Sequence, residues 1–246
     1  MNACTPPTSV VITPALKVAC SHCNLRDLCF PVALPEESLQ RLDTVVTHRP
    51  LIKRGDALFR KGDPFRAIYV VRTGFFKNCA FAPDGHSQVA GFMMAGEVLG
   101  LDGIETDTHG CDAIALEDSQ VCVVPLNQLE ELAREFIPLQ RHFHKIMSRE
   151  IMRDHDVMLL LGSMTADKRV AAFLLNLLQR LQLRGFSSSE ILLRMTREDI
   201  GSYLGLKLET VSRVFSKLQD QGILEVRHRN IRIARAAALA ALVNTP

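Results

Sequence analysis

Between about Thr47 and Val124 the apolar residues fall in short β-rich runs punctuated by glycine, at Gly55-Asp56, Gly62-Asp63, Gly74, Asp84-Gly85, Gly91 and Gly96-Glu97. A-I-Y-V-V-R and Q-V-C-V-V have strand character, and P-D-G-H fits a hairpin turn. Many short strands at even spacing predict a compact antiparallel barrel or roll. Before it, P-E-E-S-L-Q-R-L predicts a short helix with Pro35 at its start and acids in its first turn. After Pro138 the texture changes. No glycine or proline interrupts Leu139 to Gly162, which predicts one helix of about six turns. Met147, Ile151, Asp154, Met158 and Leu161 form a heptad row along it, spaced 4, 3, 4 and 3. A helix packed only on its own domain would leave Asp154 at an exposed edge. A sustained 3.5-residue repeat favours a twin helix instead, so these five positions are the expected homodimer seam.

The remainder also reads as helices. A-D-K-R-V-A-A-F-L-L-N-L-L is amphipathic, and Asp167 helps to start it. Thr196 is placed to cap a helix running through Tyr203, and Gly205 supplies a turn. A second helix follows from about Lys207 to Gln219. Val211, Val214, Phe215 and Leu218 fall on its inner face, whereas Glu209, Ser212 and Arg213 share another face. The alternating stretch after Gly222 predicts a two-stranded wing with Arg227, His228 and Arg229 near its tip.

Length, charge and cysteine usage narrow the class. A chain of 246 residues favours two domains plus connecting elements. No segment offers the ~18 uninterrupted apolar residues a membrane span needs. The N-terminus has no basic region followed by an apolar stretch, so no secretory signal is expected. Residues 165–246 carry 13 Lys+Arg against 7 Asp+Glu; the whole chain has 29 against 27, leaving 16 against 20 for residues 1–164. A basic C-terminal third points to nucleic acid meeting that part alone. Seven cysteines, an odd number clustered at one end, do not resemble a secreted disulfide framework, and a cytoplasmic location is expected.

Three of those cysteines carry the candidate chemistry. Cys20, Cys23 and Cys29 stand in C-S-H-C-N-L-R-D-L-C, among His22, Asn24, Arg26 and Asp27. Spaced C-x2-C-x5-C, three thiols can wrap one centre, and a fourth from elsewhere would complete a four-thiolate shell for an iron–sulfur cluster or a structural zinc. Cys122 is a candidate for that fourth position, but spacing alone does not choose it over Cys79 and Cys111. The latter two sit in strand-like stretches, where a cysteine is usually a small core hydrophobe. Cys4 lies in the Pro/Thr-rich segment of residues 1–15, which is expected to be unstructured.

The second helix of the C-terminal part can enter a major groove. Arg213 can donate to guanine O6 and N7, Glu209 can accept from a cytosine amino group, and Ser212 can serve either kind of base. Glu209 and Arg213 could also be a plain i,i+4 surface pair. A carboxylate facing a polyanion is unfavourable without a specific donor, so Glu209 favours sequence reading over general adhesion. Thr196, Arg197, Lys207 and Thr210, at the starts of the two helices, are the further candidate DNA contacts.

With these motifs in family order, the chain resembles the FNR branch of the CRP/FNR transcription regulators over roughly residues 16–240. The likeness rests on the cysteine trio, Cys122, G-D-x-L-F-x-x-G-D, G-F-x-x-A-G-E-x-x-G and T-R-x-D-I-G-x-Y-L-G-L-x-x-E-T-x-S-R. It implies an α+β chain: an N-terminal antiparallel β-roll of the cyclic-nucleotide-binding, jelly-roll kind, a long dimerisation helix and a C-terminal winged helix-turn-helix. The expected divisions are 1–30 (tail and cluster loop), 31–137 (roll), 138–163 (dimerisation helix) and 164–246 (DNA-binding domain). It further implies an oxygen-labile 4Fe-4S cluster ligated by Cys20, Cys23, Cys29 and Cys122. Double-stranded DNA would be read as a palindrome like TTGAT-N4-ATCAA by Glu209, Ser212 and Arg213. RNA polymerase would meet the roll near Asp84-Gly85.

Other classes stay in view. Cyclic-nucleotide relatives share the roll, and Gly96-Glu97 resembles part of their phosphate pocket. The stretch T-H-G-C-D-A-I-A-L, however, holds no arginine to neutralise a phosphate, and Asp112 would repel one. Four thiolates fit haem poorly. An iron–sulfur enzyme or electron carrier would have no use for a recognition helix, and no substrate-positioning motif supports an enzyme. A CRP-like regulator with structural zinc or another effector is the alternative to a cluster-controlled one.

Overall fold

The structure, a computed structural model, describes residues 20–25, 28–29, 35–46 and 51–244. The Pro/Thr-rich segment with Cys4, and Phe30-Pro31 beyond the cysteine loop, lie outside the described residues. Helix α1 (Glu36–Val45) opens behind Pro35 with Glu36 and Glu37 in its first turn, as the sequence predicts. Eight strands follow: β1 (Leu51–Ile52), β2 (Ala57–Phe59), β3 (Ala67–Thr73), β4 (Phe75–Phe81), β5 (Ser87–Met94), β6 (Val98–Leu99), β7 (Asp112–Ala115) and β8 (Ser119–Pro125). They form two four-stranded sheets, ordered β1-β8-β3-β6 and β2-β7-β4-β5, and every pairing is antiparallel. This is the expected roll. Ile52, Phe59, Val71, Phe76, Leu99 and Val121 belong to one apolar core within it. Asp84 and Gly85 turn the β4–β5 hairpin, with Gly85 at φ 86° and His86 N–H donating to Asp84 Oδ1 at 3.0 Å.

Helix α2 (Leu126–Glu135) has apolar positions at helical spacing that the sequence reading passed over, and it buries Leu129 and Leu132. Helix α3 (Ile137–Ser163) is the predicted long helix, 27 residues with Pro138 inside its first turn. A proline is tolerated there because the first-turn N–H groups have no intrahelical acceptor. The boundary placed after Pro138 therefore moves outward. Leu139 and Ile146 are buried, but the C-terminal half of α3 exposes Ile151, Met152, Met158 and Leu159.

Helix α4 (Ala166–Gln182) buries an apolar stripe from Val170 to Leu181. After it come β9 (Glu190–Leu192), α5 (Arg197–Leu204), α6 (Leu208–Asp220), β10 (Leu224–Arg227), β11 (Asn230–Ile233) and α7 (Ala236–Asn244). The wing expected as two strands is a sheet of three, because β9 pairs with β11 through Ile191 opposite Ile231. Strand alternation joins this unit to the roll. On β4, Phe76 enters the core between the sheets, while Phe75 and Cys79 share a core with α4, α5 and α6. Phe92 of β5 stands edge-on to Phe173 of α4 and Tyr203 of α5, with centroids 6.0 and 5.3 Å apart. The roll and the C-terminal unit thus share apolar packing, beyond their connection through α3. Among the described residues no helix is long and apolar enough to cross a membrane.

Candidate functional site

The cysteine loop begins as one 3-10 turn, Cys20–His22, closed by Cys23 N–H donating to Cys20 O at 3.2 Å. Asp43 of α1 holds it: its carboxylate accepts from Cys20 N–H and, at 2.9 Å, from Ser21 Oγ. Satisfying these amides with a carboxylate fixes the loop on α1 without a long regular element. Cys20 is 8% exposed and Cys122 9%, and both belong to one core cluster with Ile68, Val70 and Val98, against which Cys29 packs. Cys122 lies on β8 opposite Val70 of β3. Two residues along β3, Arg72 Nη1 donates to Cys23 Sγ at 3.7 Å. Cys20 and Cys122 thus share one apolar cluster with Cys29 packed against it, and Cys23 is within reach of Arg72 on β3.

The other two cysteines go elsewhere, and Cys111, expected in a strand, lies in the bend just before β7. Cys79 belongs to the core shared with the C-terminal unit, and Cys111 packs between the sheets. Burial, followed by the Asp102 carboxylate, pushes the Cys111 thiol far above its usual range. Burial also raises Cys79, against the opposing charge of Lys77. Among the described residues no three His, Cys, Asp or Glu side chains are gathered so as to hold a metal ion.

The reading element is built locally. Thr196 Oγ1 accepts from Asp199 N–H at 3.0 Å, and Asp199 Oδ2 accepts from Thr196 N–H at 2.8 Å, a reciprocal capping box at the start of α5. Gly205 ends α5 in the left-handed region, φ 61° and ψ 38°. A Cβ on Gly201 would lie 2.6 Å from Leu206 O, so the turn approaches α5 more closely than any side chain allows. Val211, Val214, Phe215 and Leu218 of α6 are buried as predicted, and Glu209, Ser212 and Arg213 are exposed.

The further DNA candidates divide. Lys207 is exposed at the start of α6, and Thr210 accepts from Arg213 Nη2 at 3.4 Å. Thr196 is committed to the capping box. Arg197 lies with its guanidinium 3.2 Å from the Phe215 ring centre, its Nη1 is buried without a hydrogen-bond partner, and burial lowers its pKa to about 10. Arg227 and Arg229 are exposed at the wing tip, where His228 takes φ 55°.

On α3, Ile151 is 55% and Met158 66% exposed, Asp154 is exposed between them, and Met147 and Leu161 are half-buried. Arg153, next to Asp154 in the chain, points inward: Nη1 donates to Glu150 at 2.9 Å and Nη2 lies 3.4 Å from Glu97. The sequence reading passed over two buried acids. Asp199 both caps α5 and pairs with Lys77 of β4 at 2.6 Å. Glu97, read there only as half of a phosphate pocket, meets Arg180 and Arg184 as well as Arg153. The capping pattern T-x-x-D could have flagged Asp199; nothing local flags Glu97.

Comparison with known proteins agrees with this arrangement. Residues 51–136 match the family described as Cyclic nucleotide-binding domain, and residues 168–242 the Crp-like helix-turn-helix domain. The chain is 42% identical over 224 residues to the transcriptional regulatory protein btr of Bordetella pertussis, covering 91% of this chain and 93% of that protein. It is 40% identical over 225 residues to the fumarate and nitrate reduction regulatory protein of Salmonella typhimurium, covering 92% and 90%. Among solved structures it resembles FixK2 from Bradyrhizobium japonicum, with a TM-score of 0.74, 33% identity and coverage of 80% and 98%.

Proposed function

The chain belongs to the CRP/FNR family of transcription regulators, in its FNR-type branch, and from that premise we propose that it is a homodimeric activator and repressor controlled by a 4Fe-4S cluster. Cys20, Cys23, Cys29 and Cys122 hold the cluster. The observation that carries this reading is a shared core: Cys20 and Cys122 lie in one apolar cluster and Cys29 packs against it, whereas Cys79 and Cys111 belong to other clusters. Such a cluster supplies an oxygen-labile centre whose assembly ties the loop to β8. Asp43 of α1 holds the start of the loop through Cys20 and Ser21.

The exposed seam of α3 supports pairing with a second copy, since Ile151 and Met158 stand seven residues apart on a helix that leaves them in water. Each copy places α6 in a major groove. Arg213 donates to guanine, Glu209 accepts from cytosine and Ser212 contacts a neighbouring base in each half of a site like TTGAT-N4-ATCAA. Thr196 acts by holding α5 under α6, and Arg197 by stacking beneath the same helix, while Lys207 and Thr210 flank the reading face. The exposed Asp84-Gly85 turn offers RNA polymerase a contact on the roll. A cyclic nucleotide is disfavoured as the effector because the Glu97 carboxylate is already engaged by the chain's own arginines.

The test is composition under anaerobic conditions. The purified chain should be brown and contain iron and acid-labile sulfide. Cys20→Ser, Cys23→Ser, Cys29→Ser and Cys122→Ser should each abolish stable assembly, while Cys79→Ser and Cys111→Ser retain it. Colourless protein containing zinc would establish the structural-zinc alternative, and full iron and sulfide in the Cys122 variant would remove that ligand from the set.

A further inference from the structure

Three parts of the chain meet at one buried carboxylate. Glu97 sits in the turn between β5 and β6 and is 8% exposed. Its Oε1 accepts from Arg184 Nη2 at 2.9 Å and from Arg180 Nε at 3.0 Å, and lies 3.4 Å from Arg153 Nη2. Its Oε2 accepts from Arg180 Nη2 and, at 3.0 Å, from Met94 N–H. Arg153 belongs to α3, Arg180 to α4, and Arg184 to the turn directly after α4. The guanidiniums are fixed in turn: Arg180 donates to Phe92 O, Arg184 Nε to Ala95 O at 2.6 Å, and Arg153 to Glu150 at 2.9 Å. Burial alone would raise the Glu97 carboxyl, but the Arg180 and Arg153 charges overcome this and hold it below its ordinary value. The carboxylate is therefore the charged centre of a joint between the roll, the dimer helix and the DNA-reading unit.

A planar guanidinium paired with a carboxylate fixes direction as well as distance, unlike apolar packing, which tolerates sliding. A dimeric reader needs that restriction, because its two recognition helices must match the separation of two half-sites. We propose that Glu97 is a positioning residue for DNA recognition, setting the angle between the dimer helix and α6 through Arg153, Arg180 and Arg184. The cysteine loop has access to the joint. A Cβ on Gly96 would stand 3.0 Å from Leu28 Cβ, so Leu28, beside Cys29, rests on the residue preceding Glu97.

This inference rests on the dimeric, palindrome-reading function proposed above, and the experiment separates the two. Affinities of the full anaerobic chain and of Glu97→Gln are measured on three duplexes: the palindrome with its four-base spacer, the same with a five-base spacer, and a single half-site. Glu97→Gln should keep half-site affinity within about twofold, while its preference for the four-base over the five-base spacer falls by about tenfold, because bivalent gain depends on geometry. A residue that merely stabilised the fold would weaken all three duplexes together. If Glu97→Gln loses its helical circular dichroism, Glu97→Gln/Arg180→Gln, which removes one charge of each sign, takes its place with the same expectation. Spacer preference unchanged in the folded variant overturns the joint. Equal binding of both spacers by the wild-type chain overturns the palindrome reading, and this inference with it.

Discussion

Replacing Asp154 should tighten the dimer, and the structure bounds the effect. Asp154 is exposed on α3 between Ile151, 55% exposed, and Met158, 66% exposed. A symmetric parallel pairing of these stripes brings the two Asp154 carboxylates towards each other. The adjacent cation does not relieve them, because Arg153 is committed to Glu97 and Glu150. At ~6 Å, two unit charges repel by roughly 3 kcal/mol at an effective dielectric constant of ~20 and by about 0.7 kcal/mol in bulk water. The exposed starting position and salt screening favour the lower half of that range. Removing the charge should thus lower the dimer dissociation constant by about 3-fold to 20-fold. Asp154→Ala also raises helix propensity, so Asp154→Asn is needed beside it to isolate charge. Sedimentation velocity of cluster-free protein over a concentration series gives the constants, and the gain should shrink with added salt. Dissociation constants within about twofold of wild type for both variants would show that the seam does not bring these carboxylates together.

Two further substitutions probe the reading head. Arg213→Ala should weaken palindrome binding by about 1–3 kcal/mol per half-site and relax the preference for guanine, measured by binding to a panel of single-base variants. Arg229→Ala, at the wing tip, should weaken all sequences alike and flatten the dependence of affinity on salt. Asp199→Asn should lower stability to urea near neutral pH by about 1 kcal/mol or more, through the lost capping partner and the lost Lys77 pair. Hydrogen bonds and the Lys77 charge outweigh burial and hold the Asp199 carboxyl below its ordinary value of 3.8. Its stabilising contribution is therefore complete above pH 3.8 and lost as pH falls through the lowered value, so the Asn variant should show a flatter acid limb below that pH.

What could be read from sequence was what short segments encode. The Thr196 cap, the turn at Gly205 and the inner face of α6 involve neighbours within a few positions, and all formed as expected, the cap with Asp199 as its unforeseen partner. The long helix was found because its period and uninterrupted run are local. Its start was displaced only because proline at a helix beginning imitates a boundary. The third wing strand escaped notice because three residues, Glu190–Leu192, carry too little pattern of their own and gain strand character from β11 some forty residues on. Cys122 shows the same limit. Spacing selects Cys20, Cys23 and Cys29, but packing alone separates Cys122 from Cys79 and Cys111, since the three look alike in sequence until the fold assigns them to different cores.

Glu97 is the extreme case, with arginine partners 56, 83 and 87 residues away. Its local context resembled a ligand pocket, and Arg153, adjacent to the expected dimer seam, serves it. The cysteine loop, the seam and the recognition helix each carry their own local signature, whereas the contacts that hold them in mutual orientation do not. Under the proposed function, a change at the loop has to reach the spacing of two recognition helices, and contacts spanning those parts are suited to carry it. Substitutions that alter signalling while sparing both cluster content and half-site affinity are therefore expected to gather at Glu97 and its arginines, rather than within any single segment whose sequence announces its role.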